Sequence, residues 1–199
     1  MSDAPDIRRV DAIAPTPWKN GGGISRSLAI APDGAGHDDC DWRVDLSDIS
    51  RAGPFSYLPD LDRQLMPLGS GLRLGFDGGV PGPVEIFETT RFAGETPVQA
   101  TLGPEAPDGG LQVLNLMTRR DRFTGRVVPY PAAGRLREPA ATMVLMALRG
   151  GFNLVVDGGR PAPLDAGRYA RFAPGGATLA FEPYRPWSML IAVVVHPKP

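Results

Sequence analysis

The sequence predicts an all-β protein of two fused β-barrels with few short helices. Three observations carry this: the apolar runs are short and several alternate with polar residues, Gly and Pro punctuate them throughout, and one stretch of 40 residues recurs at a fixed spacing. A chain of 199 residues is long enough for one good core or for two small fused ones.

Each strand candidate has a local reason. Ser25–Ala31 (SRSLAIA), Trp42–Ile49 (WRVDLSDI), Gly71–Phe76 (GLRLGF), Leu111–Met117 (LQVLNLM), Phe152–Gly158 (FNLVVDG) and Ser188–Val195 (SMLIAVVV) have strand length, and most are bounded by Gly, Pro or Asp. The 25 glycines and 22 prolines are spread between these runs, not gathered in one tract, which marks them as turn residues. No stretch holds a helical period for long. The best helix candidate is a turn or two around Thr118–Phe123 (TRRDRF).

Setting Arg63–Leu102 over Met143–Glu182, ungapped and at an offset of 80, leaves 14 of 40 positions identical. Shared turn chemistry would match Gly with Gly and Pro with Pro. Leu65/Leu145, Met66/Met146 and the triplet Arg91-Phe92-Ala93/Arg171-Phe172-Ala173 also fall in register, which points to an internal duplication. Each copy reads as strand, tight Gly turn, strand, Asp-Gly-Gly hairpin, Pro-flanked turns and a further strand, so each implies a barrel or sandwich of its own. That running order resembles a cupin-type, RmlC-like jelly-roll barrel. The expected division is an N-terminal barrel over 1–120 carrying a ligand pocket, and a C-terminal barrel over 121–199 serving as a scaffold or a homodimer surface.

Charge and composition exclude several function classes. The formal net charge is −1, so nothing draws the protein electrostatically to nucleic acid or to an anionic membrane. The start, MSDAPDIRRV, carries charge where a signal peptide has an apolar core, and no apolar run approaches the ~20 residues of a membrane span, so a cytoplasmic location is expected. Cys40 is the single cysteine; it has no partner for an intramolecular disulfide and lies among acids that oppose thiolate formation, so it reads as inert. The two histidines, His37 and His196, have no ligand neighbour at metal-binding spacing, so the histidine and carboxylate set that holds a metal in many cupins is missing. The acids around Cys40 lack the regular spacing of a calcium loop. No cofactor is expected.

Pro17–Gly23 (PWKNGGG), Asp41–Arg43 (DWR), Gly53–Ser56 (GPFS), Asp62-Arg63 (DR) and Leu114–Arg120 (LNLMTRR), in this order, resemble the HutD/Ves family over nearly the whole chain. The resemblance implies a double cupin without a recognised metal site, associated with histidine utilisation. It further implies a modulator that senses a pathway intermediate such as formylglutamate. Asp45 departs from the family pattern, which has a small polar residue at this place, and an extra negative charge there bears on the ligand class. The second copy has no counterparts to Lys19, Asn20, Asn115 or Arg119, so function is expected in the N-terminal half.

The residues themselves suggest how a ligand is held. Three glycines after Lys19 and Asn20 let the backbone turn sharply and come close to a ligand, while Lys19 offers a charge and Asn20 a donor and an acceptor. This is not a P-loop, because the lysine precedes the glycines. The same glycines also read as a plain turn. Along Trp42–Ser47, the side chains of Trp42, Val44 and Leu46 share one face and those of Arg43, Asp45 and Ser47 the other, either a solvated face or the lining of a cavity. Arg63 begins the first repeat where Met143 begins the second. Asn115 and Arg119 add an amide and a guanidinium that can grip a carboxylate, although adjacent basic residues are more often a solvated surface.

The resulting scheme is a metal-free binding protein for a small carboxylate metabolite. Lys19 and Arg63 take the anionic group, Asn20 and Asn115 the neutral polar groups, Gly21, Gly22 and Gly23 give close backbone approach, and Arg43, Asp45 and Arg119 complete the candidate set. An enzyme is the less favoured alternative: a metal-independent isomerase or lyase would use Lys19 or Asp45 for proton transfer after burial has shifted its pKa. A third reading makes the chain an interaction protein, with Thr118–Arg122 and the second barrel as contact surfaces.

Overall fold

The computed structural model describes residues 5–36 and 39–199. In chain order the strands are β1 (Ile7–Arg9), β2 (Thr16–Pro17), β3 (Gly23–Ala31), β4 (Trp42–Ile49), β5 (Gly53–Pro54), β6 (Leu61–Pro67), β7 (Leu72–Phe76), β8 (Gly82–Pro83), β9 (Thr90–Ala93), β10 (Val98–Leu102), β11 (Leu111–Arg119), β12 (Phe123–Tyr130), β13 (Gly134–Arg137), β14 (Thr142–Arg149), β15 (Phe152–Val156), β16 (Ala162–Leu164), β17 (Arg168–Phe172), β18 (Thr178–Pro183) and β19 (Met189–Pro197). The only helix among the described residues is a 3-10 turn at Val10–Ala12. The helix expected at Thr118–Phe123 is instead the turn between β11 and β12, closed by Arg122 N–H donating to the Arg119 carbonyl at 3.1 Å; apolar-alternating strands on both sides leave the basic run no room for a second helical turn.

The chain divides into two compact units, Ala14–Thr124 and the chain up to Ile13 together with Gly125–Pro199. The N-terminal unit pairs a sheet of order β2-β3-β4-β11-β6-β9 with one of order β5-β10-β7-β8. In the C-terminal unit the sheets run β1-β17-β14-β19-β12 and β13-β18-β15-β16. Strand for strand, β4 to β11 and β12 to β19 occupy the same places in these orders. The additions differ: β2 and β3 extend the first unit beside β4, and β1 extends the second beside β17.

The register shows how far the offset of 80 holds. Arg63 lies opposite Phe92 and Met143 opposite Phe172, and the hairpins put Leu74 opposite Gly82 and Leu154 opposite Ala162. Both Asp-Gly-Gly turns have positive φ at Asp and the first Gly (51° and 79° at Asp77 and Gly78, 50° and 70° at Asp157 and Gly158), the two-residue primed turn that suits strand twist. After the Arg-Phe-Ala triplet the spacing slips by one. Phe76 pairs with Val98, whereas Val156 pairs with Leu179, so β10 and β18 correspond at 81. The identity of Ala100 with Ala180 is therefore a coincidence of the ungapped alignment, since Ala100 corresponds to Phe181.

In each unit the facing sheets close over a core. That of the first is Ile49, Leu65, Leu72, Leu74, Val98, Ala100, Leu111 and Val113; that of the second includes Met143, Leu145, Phe152, Leu154, Phe181, Leu190, Ala192 and Val194. Burying each of the larger of these side chains, Val, Leu, Ile, Phe or Met, contributes roughly 1.5–3 kcal/mol.

Candidate functional site

Strand alternation fixes which side chains enter the N-terminal barrel. Ile49, Val113 and Leu65 belong to the core, so Arg43, Asp45 and Ser47 on β4, Asn115 and Met117 on β11, and Arg63 on β6 face the same interior. Pairing puts them in rows: Asp45 lies opposite Asn115, and Met117 stands between Arg43 and Arg63. Ser25 and Ser27 on β3 continue two of these rows beside Ser47 and Asp45. The polar face of Trp42–Ser47 is thus interior, and Trp42, Val44 and Leu46 on the other face are buried as well.

Burial makes the polar contacts consequential. Asp45 is 1% exposed and Arg43 6%; Arg43 Nη2 lies 2.7 Å from Asp45 Oδ2 and donates to Oδ1 at 2.9 Å. Arg43 Nε finds no acceptor, and Asp45 Oδ2, although ion-paired, takes no aligned hydrogen bond. Further along the face, Trp18 Nε1 donates to Ser25 Oγ at 2.7 Å, Ser25 and Ser47 hydroxyls lie 2.8 Å apart, and Asn115 Nδ2 donates to Ser47 Oγ at 3.3 Å. Each hydroxyl already accepts one hydrogen bond and one must donate to the other. One hydroxyl proton of the pair is left over for a further acceptor.

Arg63 is in a different position. It is 7% exposed, its guanidinium carbon lies 5.0 Å from the ring centres of both Phe55 and Phe92, and its one hydrogen bond is from Nη1 to the Ser56 carbonyl at 3.3 Å. Nε has no acceptor, and among the described residues no carboxylate stands within ion-pair distance of it. Burial pushes its pKa down to about 10, opposed by the charge of Asp45, so it stays cationic at neutral pH. Aromatic faces offset part of the cost of burying the charge.

The other candidates lie elsewhere. Lys19 and Asn20 are exposed on the turn closed by Gly21 N–H donating to the Trp18 carbonyl. Asn20 is spent on that turn: Oδ1 accepts from Gly22 N–H at 2.9 Å and Nδ2 donates to the Pro54 carbonyl at 3.1 Å. Arg51 covers the Gly21 carbonyl from Nη2 at 2.6 Å. At Gly23 an added Cβ would come within 2.3 Å of the Asp48 carbonyl, so this glycine is required by packing. Arg119 is half-buried and donates to the Cys40 carbonyl at 3.2 Å. The rest of the basic run is paired within the unit, Arg120 with Asp62 and Glu95, and Arg122 with Asp41. Cys40 is buried, and burial raises its thiol pKa.

Sequence reasoning missed Phe55, Phe92, Trp18 and Ser25, and placed Ser47 on the polar face of β4 without giving it a role. Phe92 was visible only as a member of the repeated Arg-Phe-Ala triplet; its place opposite Arg63 comes from the pairing of β6 with β9. Phe55 carried no signal beyond its place in the GPFS block.

Many cupin-type barrels hold a metal, and the donor set here does not fit one. Among the described residues no three of His, Cys, Asp and Glu come together as a metal requires; the inner positions carry arginines, serines, an asparagine and the carboxylate of Asp45, which is held by Arg43. His37 lies outside the described residues. His196 Nε2 instead stands 3.3 Å from Glu138 in the C-terminal unit.

The HutD family profile matches residues 11–183. The chain belongs to the HutD family. Its relatives include an uncharacterised 21.2 kDa protein from the region 3′ of hutC in Pseudomonas putida, 33% identical over 132 residues that cover 66% of this chain and 67% of that one. Protein Ves of Cronobacter sakazakii is 33% identical over 112 residues, 55% of this chain and 58% of its own. Among solved structures, HutD from Pseudomonas fluorescens SBW25, determined under a formate condition, is similar with a TM-score of 0.80 at 20% identity, covering 98% of this chain and all of that one (100%). A cupin 2 conserved barrel protein from Leptotrichia buccalis is similar with a TM-score of 0.58 at 9% identity, covering 100% and 99%. These two likenesses establish the cupin-type fold. No helix among the described residues is long and apolar enough to cross a membrane.

Proposed function

We propose that the N-terminal barrel of this HutD-family protein binds a small carboxylate metabolite, without a metal, and that the protein modulates histidine utilisation through that ligand. One observation carries the binding role: Arg63 is buried on a polar interior face with no carboxylate of its own and with a donor unused. A buried cation is costly unless an anion offsets it, and an incoming carboxylate is the missing partner. Asn115 and the Ser25/Ser47 pair then receive the ligand's neutral polar group through the spare hydroxyl proton. Arg63 takes the contact role, and Lys19 on its exposed turn stands outside it. The catabolic context rests on the family and on the hutC neighbourhood of the Pseudomonas putida relative.

Calorimetric titration with N-formyl-L-glutamate and with formate tests this. We expect saturable binding by the unmodified protein and a loss of about 2–5 kcal/mol for Arg63→Met with the fold retained. Equal affinity in the variant, or no binding of any small carboxylate, overturns the proposal.

A further inference from the structure

The charges on the interior face can be counted. Arg43, Asp45 and Arg63 are all buried on it, and Arg43 is paired with Asp45 at 2.7 Å. The field of Asp45 also reaches Arg63, whose charged form it favours. Arg119, half-buried at the end of β11, is engaged with the Cys40 carbonyl and stands outside the buried set. The fully buried trio therefore carries two positive charges and one negative charge, a net of one. Resting on the carboxylate reading above, we propose that Asp45 is a specificity-determining residue: by neutralising Arg43 it leaves one buried cation to be matched and selects ligands with one carboxylate over ligands with two.

The physical reason is asymmetric. A single carboxylate on Arg63 completes the neutralisation of the face. A second carboxylate carried into the same interior finds Arg43 already taken and Asp45 repelling it, so it loses hydration without a countercharge. Asp45 also has an oxygen with no aligned hydrogen bond, which favours a ligand N–H or O–H donor over another anion at that place.

The test uses two isosteric probes differing by one charge, N-formyl-L-glutamine with one carboxylate and N-formyl-L-glutamate with two, titrated into the full chain, with formate as the minimal carboxylate. For the unmodified protein we expect the glutamine compound to bind at least tenfold more tightly. Asp45→Asn should move the ratio tenfold or more toward the dicarboxylate. Because Asp45→Asn leaves Arg43 buried and unpaired, the double variant Arg43→Gln/Asp45→Asn is the control: it restores the net charge and should restore the monocarboxylate preference, a result a merely structural role for the pair does not produce. If formate and both probes bind but the unmodified protein prefers the dicarboxylate, or the ratio ignores Asp45, this inference falls and the carboxylate site stands. If none of the three binds to any of these proteins, both fall.

Discussion

The two barrels share a strand order and differ in what they enclose. Through the pairing registers, Arg63 corresponds to Met143, Asn115 to Ala192 and Met117 to Val194. The C-terminal interior is apolar from Leu136 to Val194, while at the matching level the N-terminal one holds a buried ion pair and an uncompensated guanidinium. A barrel of this topology therefore needs no polar interior to fold. The polar groups of the N-terminal barrel cost stability, and the C-terminal barrel shows the same strands closing without them. This difference is the physical argument for placing function in one half.

The sharpest way to break the comparison is to exchange the residues that define it. Met143→Arg puts a charge into the apolar barrel opposite Phe172, with no carboxylate on β12 in the place that Asp45 has on β4. We expect a loss of about 3–5 kcal/mol, read as a lower denaturation midpoint of the C-terminal unit. A cost below ~1 kcal/mol would mean that this interior accepts charge, and the contrast between the barrels would be empty.

The reverse exchange is smaller and opposite in sign. Arg63→Met gives the N-terminal barrel the residue its twin uses, removes a buried charge and forfeits the contacts to Phe55 and Phe92. We expect a net gain on the order of 1 kcal/mol, read from the denaturation midpoint, together with loss of the proposed carboxylate binding, the pattern of a residue kept for function at the expense of stability. Destabilisation by several kcal/mol would show that Arg63 is a structural element instead.

A third pair of changes should not distinguish the barrels at all. Gly78 and Gly158 have φ of 79° and 70° with open space around the missing Cβ, so Gly78→Ala and Gly158→Ala meet only backbone strain. Each should cost about 1 kcal/mol, and by the same amount, in urea denaturation. Unequal costs would mean that the two hairpins are not equivalent.

Why the sequence disclosed some of this and not the rest follows from range. The alternation Arg43, Asp45, Ser47 is local, so the polar face was legible, as were the paired Asp-Gly-Gly turns. Which way that face points depends on Ile49 and Val113 joining the core, a fact of tertiary packing. Lys19 and Asn20 looked like ligand groups because the glycines beside them permit close approach. Asn20 meets Gly22 and Pro54, and a contact spanning 34 residues has no local signature. The contact of Phe92 with Arg63 is likewise invisible without the β6–β9 register, and that of Phe55, which follows β5, has no local signature either. The one-residue slip before β10 lies in a turn, where an insertion leaves both flanking strands intact and an ungapped alignment runs past it.

That turn carries the smallest of the expected effects. Its N-terminal version holds Glu95, which accepts from Arg120 Nη2 at 2.6 Å and from the Asp60 backbone N–H at 2.8 Å, whereas the C-terminal version, Pro174–Ala177, has no carboxylate. The Arg120 hydrogen bond, followed by that of the Asp60 N–H, lowers the Glu95 pKa from 4.5 to about 2. A carboxyl whose pKa is depressed by folding stabilises fully above its unfolded value and ceases to do so as pH falls through the folded one, so this contribution is present above about pH 4.5 and gone near pH 2. The group is partly exposed, so salt screens the effect and its size is small. Comparing the unmodified protein with Glu95→Gln in denaturation midpoints from pH 7 down to pH 3 should show a gap that narrows below about pH 4.5. The same scan on a variant with Glu introduced at Gly175 should show no such window, because no counterpart of Arg120 is paired there. A gap for Glu95→Gln that stays constant with pH would assign its effect to packing of the turn and not to charge.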